Sequence, residues 1–294
     1  MMMKTSPEHL PAAKQAQLAA LVELISVHVP AEMIVLFGSH ARGDWVEDHE
    51  TGYISDYDLL VIVENEDLVD NHNLWSTIEN KAEGITGKTT LGLIVHSIKD
   101  VNHQLEQGWY FFTDLVKEGI LLHDSGRFQL AKAKRKSREQ RRLYAQACYD
   151  RYFEKATDFY ESFEFLLNKG RCNTAAFMLH QATETYYKAV LMVVTAYRPK
   201  QHNIESLGHQ CANLHAAFRD IFPCSDPNDK RRFKLLKLAY VEARYSMTYS
   251  ISRADLEALS QRVLLLRDRT ETICREYIAS MGPKVEYKNA PNTQ

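Results

Sequence analysis

The sequence predicts two parts of different class: an α/β N-terminal domain over residues 1–126 and an all-α C-terminal bundle over 127–282, followed by a polar tail, 283–294. Three observations carry this. Before Gly126, helical and extended apolar patterns alternate. After Leu130 only helical periods are found. Between two apolar strands lies a Gly-Ser turn, and paired aspartates open the second strand.

In chain order, Leu18, Leu21, Val22, Leu24, Ile25 and Val29 fall at helical spacing over 12–29, with Pro30 as the stop. Residues 33–37 and 58–63 are continuous apolar runs, as in strands covered on both faces. An acidic, turn-rich insertion, Asp44 to Thr51, separates them. A helix around 74–82 precedes a third strand at 89–95, and helical patterning then runs from Val101 through Trp109-Tyr-Phe-Phe112 to Leu122.

Beyond the boundary, Tyr144, Cys148, Tyr152, Ala156, Tyr160 and Phe163 form one stripe, closed by Gly170. A second helix covers 174–197 and stops before Pro199; a third covers 204–218. Asp226-Pro227 supplies an N-cap and N1 proline for a helix through Val241. Ser252-Arg-Ala-Asp255 opens the last helix, which carries Leu256, Leu259, Val263, Leu266 and Ile273.

The 294 residues are 45% hydrophobic and 25% charged, with a formal charge of −2. That balance argues against a general nucleic-acid coat, so any polyanion site must be local. The five cysteines are scattered without a C-x-x-C pair, which supports neither a zinc knuckle nor a disulfide framework. The opening residues lack the apolar run of a signal peptide. Ala189 to Ala196 is too short to span a bilayer, so no membrane partner and a cytoplasmic location are expected.

The chemistry concentrates in Gly38-Ser39-His40-Ala41-Arg42-Gly43 and Ser55-Asp56-Tyr57-Asp58. Side chains two apart on a strand share a face, so Asp56 and Asp58 can hold one divalent cation. The turn's N–H groups can meet phosphate oxygens. Two acids at a strand mouth also suit a solvated strand entry, and Arg42 suits either a phosphate or an ion pair with Glu47 or Asp48. His40 reads as structural.

Strand, turn and paired aspartates together resemble the DNA polymerase β-type nucleotidyltransferase fold in its minimal form, MNT. The resemblance implies that Gly38, Ser39 and Arg42 bind nucleotide phosphate. It also implies that Asp56 and Asp58 are catalytic and bind Mg²⁺, with ATP as the nucleoside triphosphate. The reaction implied is transfer of AMP to a hydroxyl acceptor, on a small molecule as in aminoglycoside nucleotidyltransferases or on a protein tyrosine. Two departures stand out: sixteen residues separate Ser39 from Asp56, and strand 89–95 contains no third carboxylate. The substitutes are Glu47, Asp48 and Glu50 in the insertion.

The segment Asn173 to Val190, with Arg198-Pro-Lys-Gln-His202 after it, resembles HEPN domains, helical bundles found beside MNT domains. The fold class implied is therefore a nucleotidyltransferase-like α/β domain fused to a HEPN-like bundle. HEPN ribonucleases carry Arg, four to six residues, then His; here Arg244 matches but Tyr249 stands in the histidine's place. Tyrosine titrates near 10 and is a poor proton shuttle at neutral pH. Tyr245 or Tyr249 could instead accept AMP, or both could simply pack in the bundle. Arg198 and His202 are too closely spaced for the motif, and Arg42 and His49 have its spacing in the other domain. His180, Gln181 and Glu184 share a helix face, as an interdomain lining or a buried network. The run 132–142, seven bases against one acid, is either a solvated linker or a path for RNA. HEPN bundles pair through helices, which implies a homodimer. A metal–nucleotide sensor or RNA-associated module of toxin–antitoxin type, with little transfer, is the alternative to the transferase.

Overall fold

The computed structural model describes residues 3–47, 54–87, 89–223 and 226–282. Helix α1 (Ala12–His28) buries Leu18, Leu21 and Ile25, the stripe its period predicts, and ends at Val29-Pro30, where proline cannot continue a helix. Strand β1 (Ala31–Phe37) follows, then a short turn of helix, α2 (Gly38–Arg42). Strand β2 (Tyr57–Val63) connects through α3 (Glu66–Val69) and α4 (His72–Thr86) to β3 (Leu91–Ser97). That helical crossover is what a parallel β2–β3 pair requires.

The four-stranded sheet has the order β3-β2-β1-β4, with β1 antiparallel to both its neighbours. Alternation assigns each strand residue to a face. Ile34, Leu36, Leu59 and Val61 pack with α1 and α4. Met33, Val35, Leu60 and Ile62 pack with α5 (Ile98–Gln107) and α6 (Tyr110–Glu118). Asp58 is in phase with Leu60 and Ile62, so its carboxylate lies on the α6 side of the sheet.

The continuous helical pattern expected up to Leu122 is corrected by the structure. Gly108, at φ 70, closes α5, Gly119 closes α6, and Ile120–Asp124 forms the edge strand β4. A Cβ at Gly119 would crowd Val35 Cγ1 at 2.8 Å and the Leu36 carbonyl at 3.2 Å, so glycine lets the chain pass against β1.

The remainder is helical: α7 (Arg138–Asn168), α8 (Cys172–Thr195), α9 (Ile204–Leu214), α10 (Pro227–Leu238), α11 (Glu242–Tyr245) and α12 (Arg253–Ser280). A reciprocal capping box between Ser137 and Gln140 opens α7, and Asp226 caps α10 ahead of Pro227. The predicted helix 204–218 stops at Leu214, because His215 is extended and only a 3₁₀ turn, Ala216–Phe218, follows. Likewise the helix expected through Val241 ends at Leu238. Helix α8 is the centre of this core, with Ala175, Leu179, Tyr186 and Val190 buried among its neighbours. Tyr197, just past α8, joins the sheet-side core instead and stacks on Phe111 at 4.4 Å. The Tyr110 hydroxyl donates to the Val193 carbonyl at 2.9 Å, so the bundle is bonded to the sheet-bearing part.

Among the described residues no helix is long and apolar enough to cross a membrane. Cys148, Cys172, Cys211 and Cys274 are free thiols; Cys224 and the tail from 283 lie outside the described residues.

Candidate functional site

Asp56 and Asp58 reach the same corner, at the mouth of β2 beside the end of β1, and are 5% and 4% exposed. Two glycines make room for Asp58. Gly38, at φ 71, adopts a backbone that favours glycine, and a Cβ there would run into Asp58 Oδ2. Gly92 lies opposite Asp58 on β3, where a Cβ would sit 3.1 Å from Oδ1. The β3 position facing Asp58, where a third carboxylate would project into the site, therefore holds no side chain. Asp48 and Glu50, the substitutes from the insertion, lie outside the described residues, as does His49. Glu47 is within them and pairs with Lys14 at 2.5 Å.

Burial, and then the charge of Asp56 beside it, pushes the Asp58 carboxyl well above the usual carboxylate range, against the opposing pull of Arg42 and His209. Asp56 Oδ1 and Ser39 Oγ are buried without a hydrogen-bond partner. His40 supports the site from behind: its Nδ1 lies 2.8 Å from the Asp56 carbonyl, and its ring lies between Trp45 and Tyr57. Burial, helped by Lys14, holds His40 down at about 4, so it is neutral at physiological pH. Arg42 Nε donates to Asp44 at 3.3 Å, so its described ion-pair partner is Asp44 rather than Glu47. The guanidinium stays one-third exposed beside Gly38 and Asp58, at a cavity of about 250 Å³.

Helix α9 of the bundle closes this corner. His209 Nδ1 lies 2.8 Å from Asp56 Oδ2, and Asn213 Nδ2 donates to Asp58 Oδ2 at 3.0 Å. Four residues apart, the two side chains occupy one helix face. The opposite side of α9 is fixed to α8: Gly208 abuts the Tyr187 ring, and Cys211 Sγ reaches the Tyr187 carbonyl at 3.5 Å. Burial disfavours charge on His209, but the hydrogen bond and charge of Asp56 outweigh it and raise its pKa. The sequence marks 204–218 only as a third helix of the bundle. The available signal was the polar pair His209 and Asn213 at helical spacing, but nothing local names partners more than 150 residues away.

Mg²⁺ suits this donor set. It prefers hard oxygens and is usually held by one or two carboxylates, completing its shell with water and substrate phosphates. The two buried carboxylates and the unpartnered Asp56 Oδ1 meet that requirement. Among the described residues no group of three or more His, Cys, Asp and Glu could hold a metal, so phosphate oxygens would have to complete the shell.

The other predicted positions lie elsewhere. Arg244 on α11 lies over the rings of Tyr240 and Phe177, 4.7 and 4.8 Å from their centroids, and its Nε donates to the Tyr240 carbonyl. Tyr249 is buried with its hydroxyl donating to the Leu235 carbonyl at 3.0 Å, and burial raises its pKa. Tyr245 is 75% exposed and is the accessible tyrosine of the pair. Buried His180 and Glu184 belong to a network with half-buried Lys188 and exposed His202; His202 stacks on Tyr240 at 4.5 Å. Gln181 Nε2 has no hydrogen-bond partner. The basic run divides: 132–137 belongs to no helix or strand, whereas Arg138–Arg142 begin α7. Several of its charges are engaged, with Lys136 over Trp109, Arg141 over Tyr110 and Arg142 on Glu139.

Fold and site together define a two-part protein: a small mixed sheet carrying a buried carboxylate pair, and a helical bundle whose own helix holds that pair. Residues 149–273 match the family model of the HEPN domain, so the bundle contains a HEPN domain. The match does not reach the sheet, and the nucleotidyltransferase resemblance of the N-terminal residues rests on their motifs. No curated protein matches the chain.

Proposed function

We propose that this is a nucleotide-sensing HEPN protein. Mg²⁺ and a nucleoside triphosphate, ATP by the motif resemblance, occupy the corner formed by Gly38, Ser39, Arg42, Asp56 and Asp58. The bundle reads that occupancy through α9. One observation carries the reading: His209 and Asn213 hold the same two carboxylates that a metal–nucleotide complex would need.

Each residue has a role that follows from its placement. Asp56 and Asp58 are the anionic donors, and Gly38 leaves space beside Asp58. Arg42, at the edge of the adjoining cavity, is free to exchange Asp44 for a phosphate oxygen pair. Mg²⁺, when bound, would neutralise the mutual repulsion of the carboxylates and the charge of the phosphates. Asp56 and Asp58 would then no longer need His209 and Asn213, and α9 would be released from the sheet. Two states of α9 thereby report nucleotide occupancy to the bundle.

Transfer of the nucleotide asks for more. A second metal that activates an attacking hydroxyl needs a further acid, and the β3 position facing Asp58 is Gly92. Binding without turnover is therefore the expected behaviour. Calorimetric titration of the full chain with ATP, with and without Mg²⁺, tests this. Wild type should bind only with Mg²⁺, Asp56→Asn/Asp58→Asn should not bind, and pyrophosphate release should stay at background. A folded wild type with no affinity for any Mg²⁺–nucleoside triphosphate refutes the sensor. Pyrophosphate release or AMP labelling dependent on Asp56 would replace it with a transferase.

A further inference from the structure

A second, wider cleft opens between the sheet-bearing part and the helices. Asp58 lies opposite Gly92 and Ile62 opposite His96, so His96 in the cleft wall is four residues along the strand from the carboxylate corner. That is about 13 Å at ~3.3 Å per residue. The cleft encloses about 1470 Å³, beyond the about 300–1,000 Å³ of a small-molecule pocket.

Its charged lining is mostly basic. Lys99 comes from α5, Arg151 from α7, and Arg198 and Lys200 from the turn after α8. Lys99, Arg151 and Arg198 pair with no carboxylate among the described residues, and Lys200 lies 3.9 Å from exposed Asp70. Two of the lining acids are already engaged: Asp100 with His96 at 2.6 Å, and Glu66 with the Ser97 hydroxyl. Trp109, Tyr144 and Tyr152 supply partly exposed rings among these bases, the first two 4.4 Å apart. Spaced cations with interleaved aromatic rings suit a chain of phosphates bearing planar bases. A lone nucleotide would leave most of this volume empty.

We propose that this cleft binds a short single-stranded oligonucleotide. Its phosphates lie on Lys99, Arg151, Arg198 and Lys200, and its bases against Tyr144 and Tyr152. The site uses neither Asp56 nor Asp58 and needs no Mg²⁺, so it stands apart from the nucleotide-sensing corner. It also differs from the run 132–137, whose exposed Lys132 and Arg135 do not line the cleft.

Fluorescence anisotropy of labelled RNA and DNA strands of one sequence, about 12 nucleotides long, tests this on the full chain in EDTA. At least one strand should bind, and log affinity should fall with log salt at a slope of about −2 to −3, for three or four phosphates. Binding of RNA, DNA or both supports the proposal, and the preference identifies the sugar. Arg151→Ala/Arg198→Ala, at exposed positions, should weaken binding about tenfold or more and flatten the slope by about 1.4. Tyr152→Ala, with its fold checked by circular dichroism, should weaken the strands but not inorganic polyphosphate. Failure of both strands to bind at low salt overturns the proposal. So does wild-type affinity in the double arginine variant, loss confined to Lys132→Ala/Arg135→Ala, or polyphosphate binding as tightly as the strands.

Discussion

Replacing His209 by alanine should loosen the empty protein and tighten its hold on Mg²⁺–ATP. The His209–Asp56 contact, 2.8 Å long, joins a nearly buried carboxylate to a ring whose side chain is 35% exposed. A hydrogen bond to a charged group is worth about 1.5–3 kcal/mol, and leaving the buried acceptor unpaired costs about 1–3 kcal/mol. Because water reaches the histidine side, the lower part of that range applies, about 1–2 kcal/mol. The cost falls only on the nucleotide-free state, where Asp56 depends on α9. In the bound state Asp56 faces the cation, and His209 contributes nothing to hold it. The cycle therefore closes with a gain in affinity of about 1–2 kcal/mol, or roughly 5- to 30-fold in Kd. Thermal unfolding without nucleotide and calorimetry with Mg²⁺–ATP measure the two legs. A His209→Ala protein that unfolds at a lower temperature but binds ATP no better, or worse, refutes the competition between α9 and the nucleotide. In that case His209 serves the bound complex directly.

Two further outcomes follow from single residues. Gly38→Ala forces a Cβ into the Asp58 carboxylate at a φ of 71, so we expect a loss of about 1–3 kcal/mol in urea unfolding together with loss of Mg²⁺–ATP binding; a variant of unchanged stability would show that the corner is looser than described. Glu184 is held at about 2, against burial that would raise it, by the close approach of His180, the hydrogen bond and charge of Lys188 and the charge of His202. A depressed carboxyl stabilises the fold above its unfolded value, about 4.3, and this is lost as pH falls toward 2. Glu184→Gln should thus cost roughly 2–3 kcal/mol at neutral pH, and urea midpoints of variant and wild type should converge across that acid window; a gap independent of pH would refute the assignment.

Much of this molecule is legible in its residue order, and the losses have physical causes. The runs Met33–Phe37 and Asp58–Val63 read as buried strands because both faces are covered, by α1 and α4 on one side and α5 and α6 on the other. The long helices α7, α8 and α12 show themselves through apolar period and caps. Strand β4 does not, because Ile120-Leu-Leu-His-Asp124 is five residues long and continues the apolar pattern of α6. Only Gly119 marks the break, and its tight approach to β1 is a tertiary fact. The paired aspartates are readable because their spacing alone places them on one face. Their contact with His209 and Asn213 is not, since it depends on how α9 docks on the sheet. Tyr249 shows the same limit: its position in the motif suggested chemistry, whereas its hydroxyl is used by the Leu235 carbonyl inside the bundle.

The central claim is that nucleotide occupancy at Asp56 and Asp58 is communicated by α9. Amide hydrogen exchange over 204–214 in the full chain, with and without saturating Mg²⁺–ATP, tests it most directly. Exchange across α9 should accelerate on binding, while the α8 segment beneath it stays protected, and the effect should vanish in Asp56→Asn/Asp58→Asn. Nucleotide binding that leaves α9 exchange unchanged, or slows it, would contradict the account.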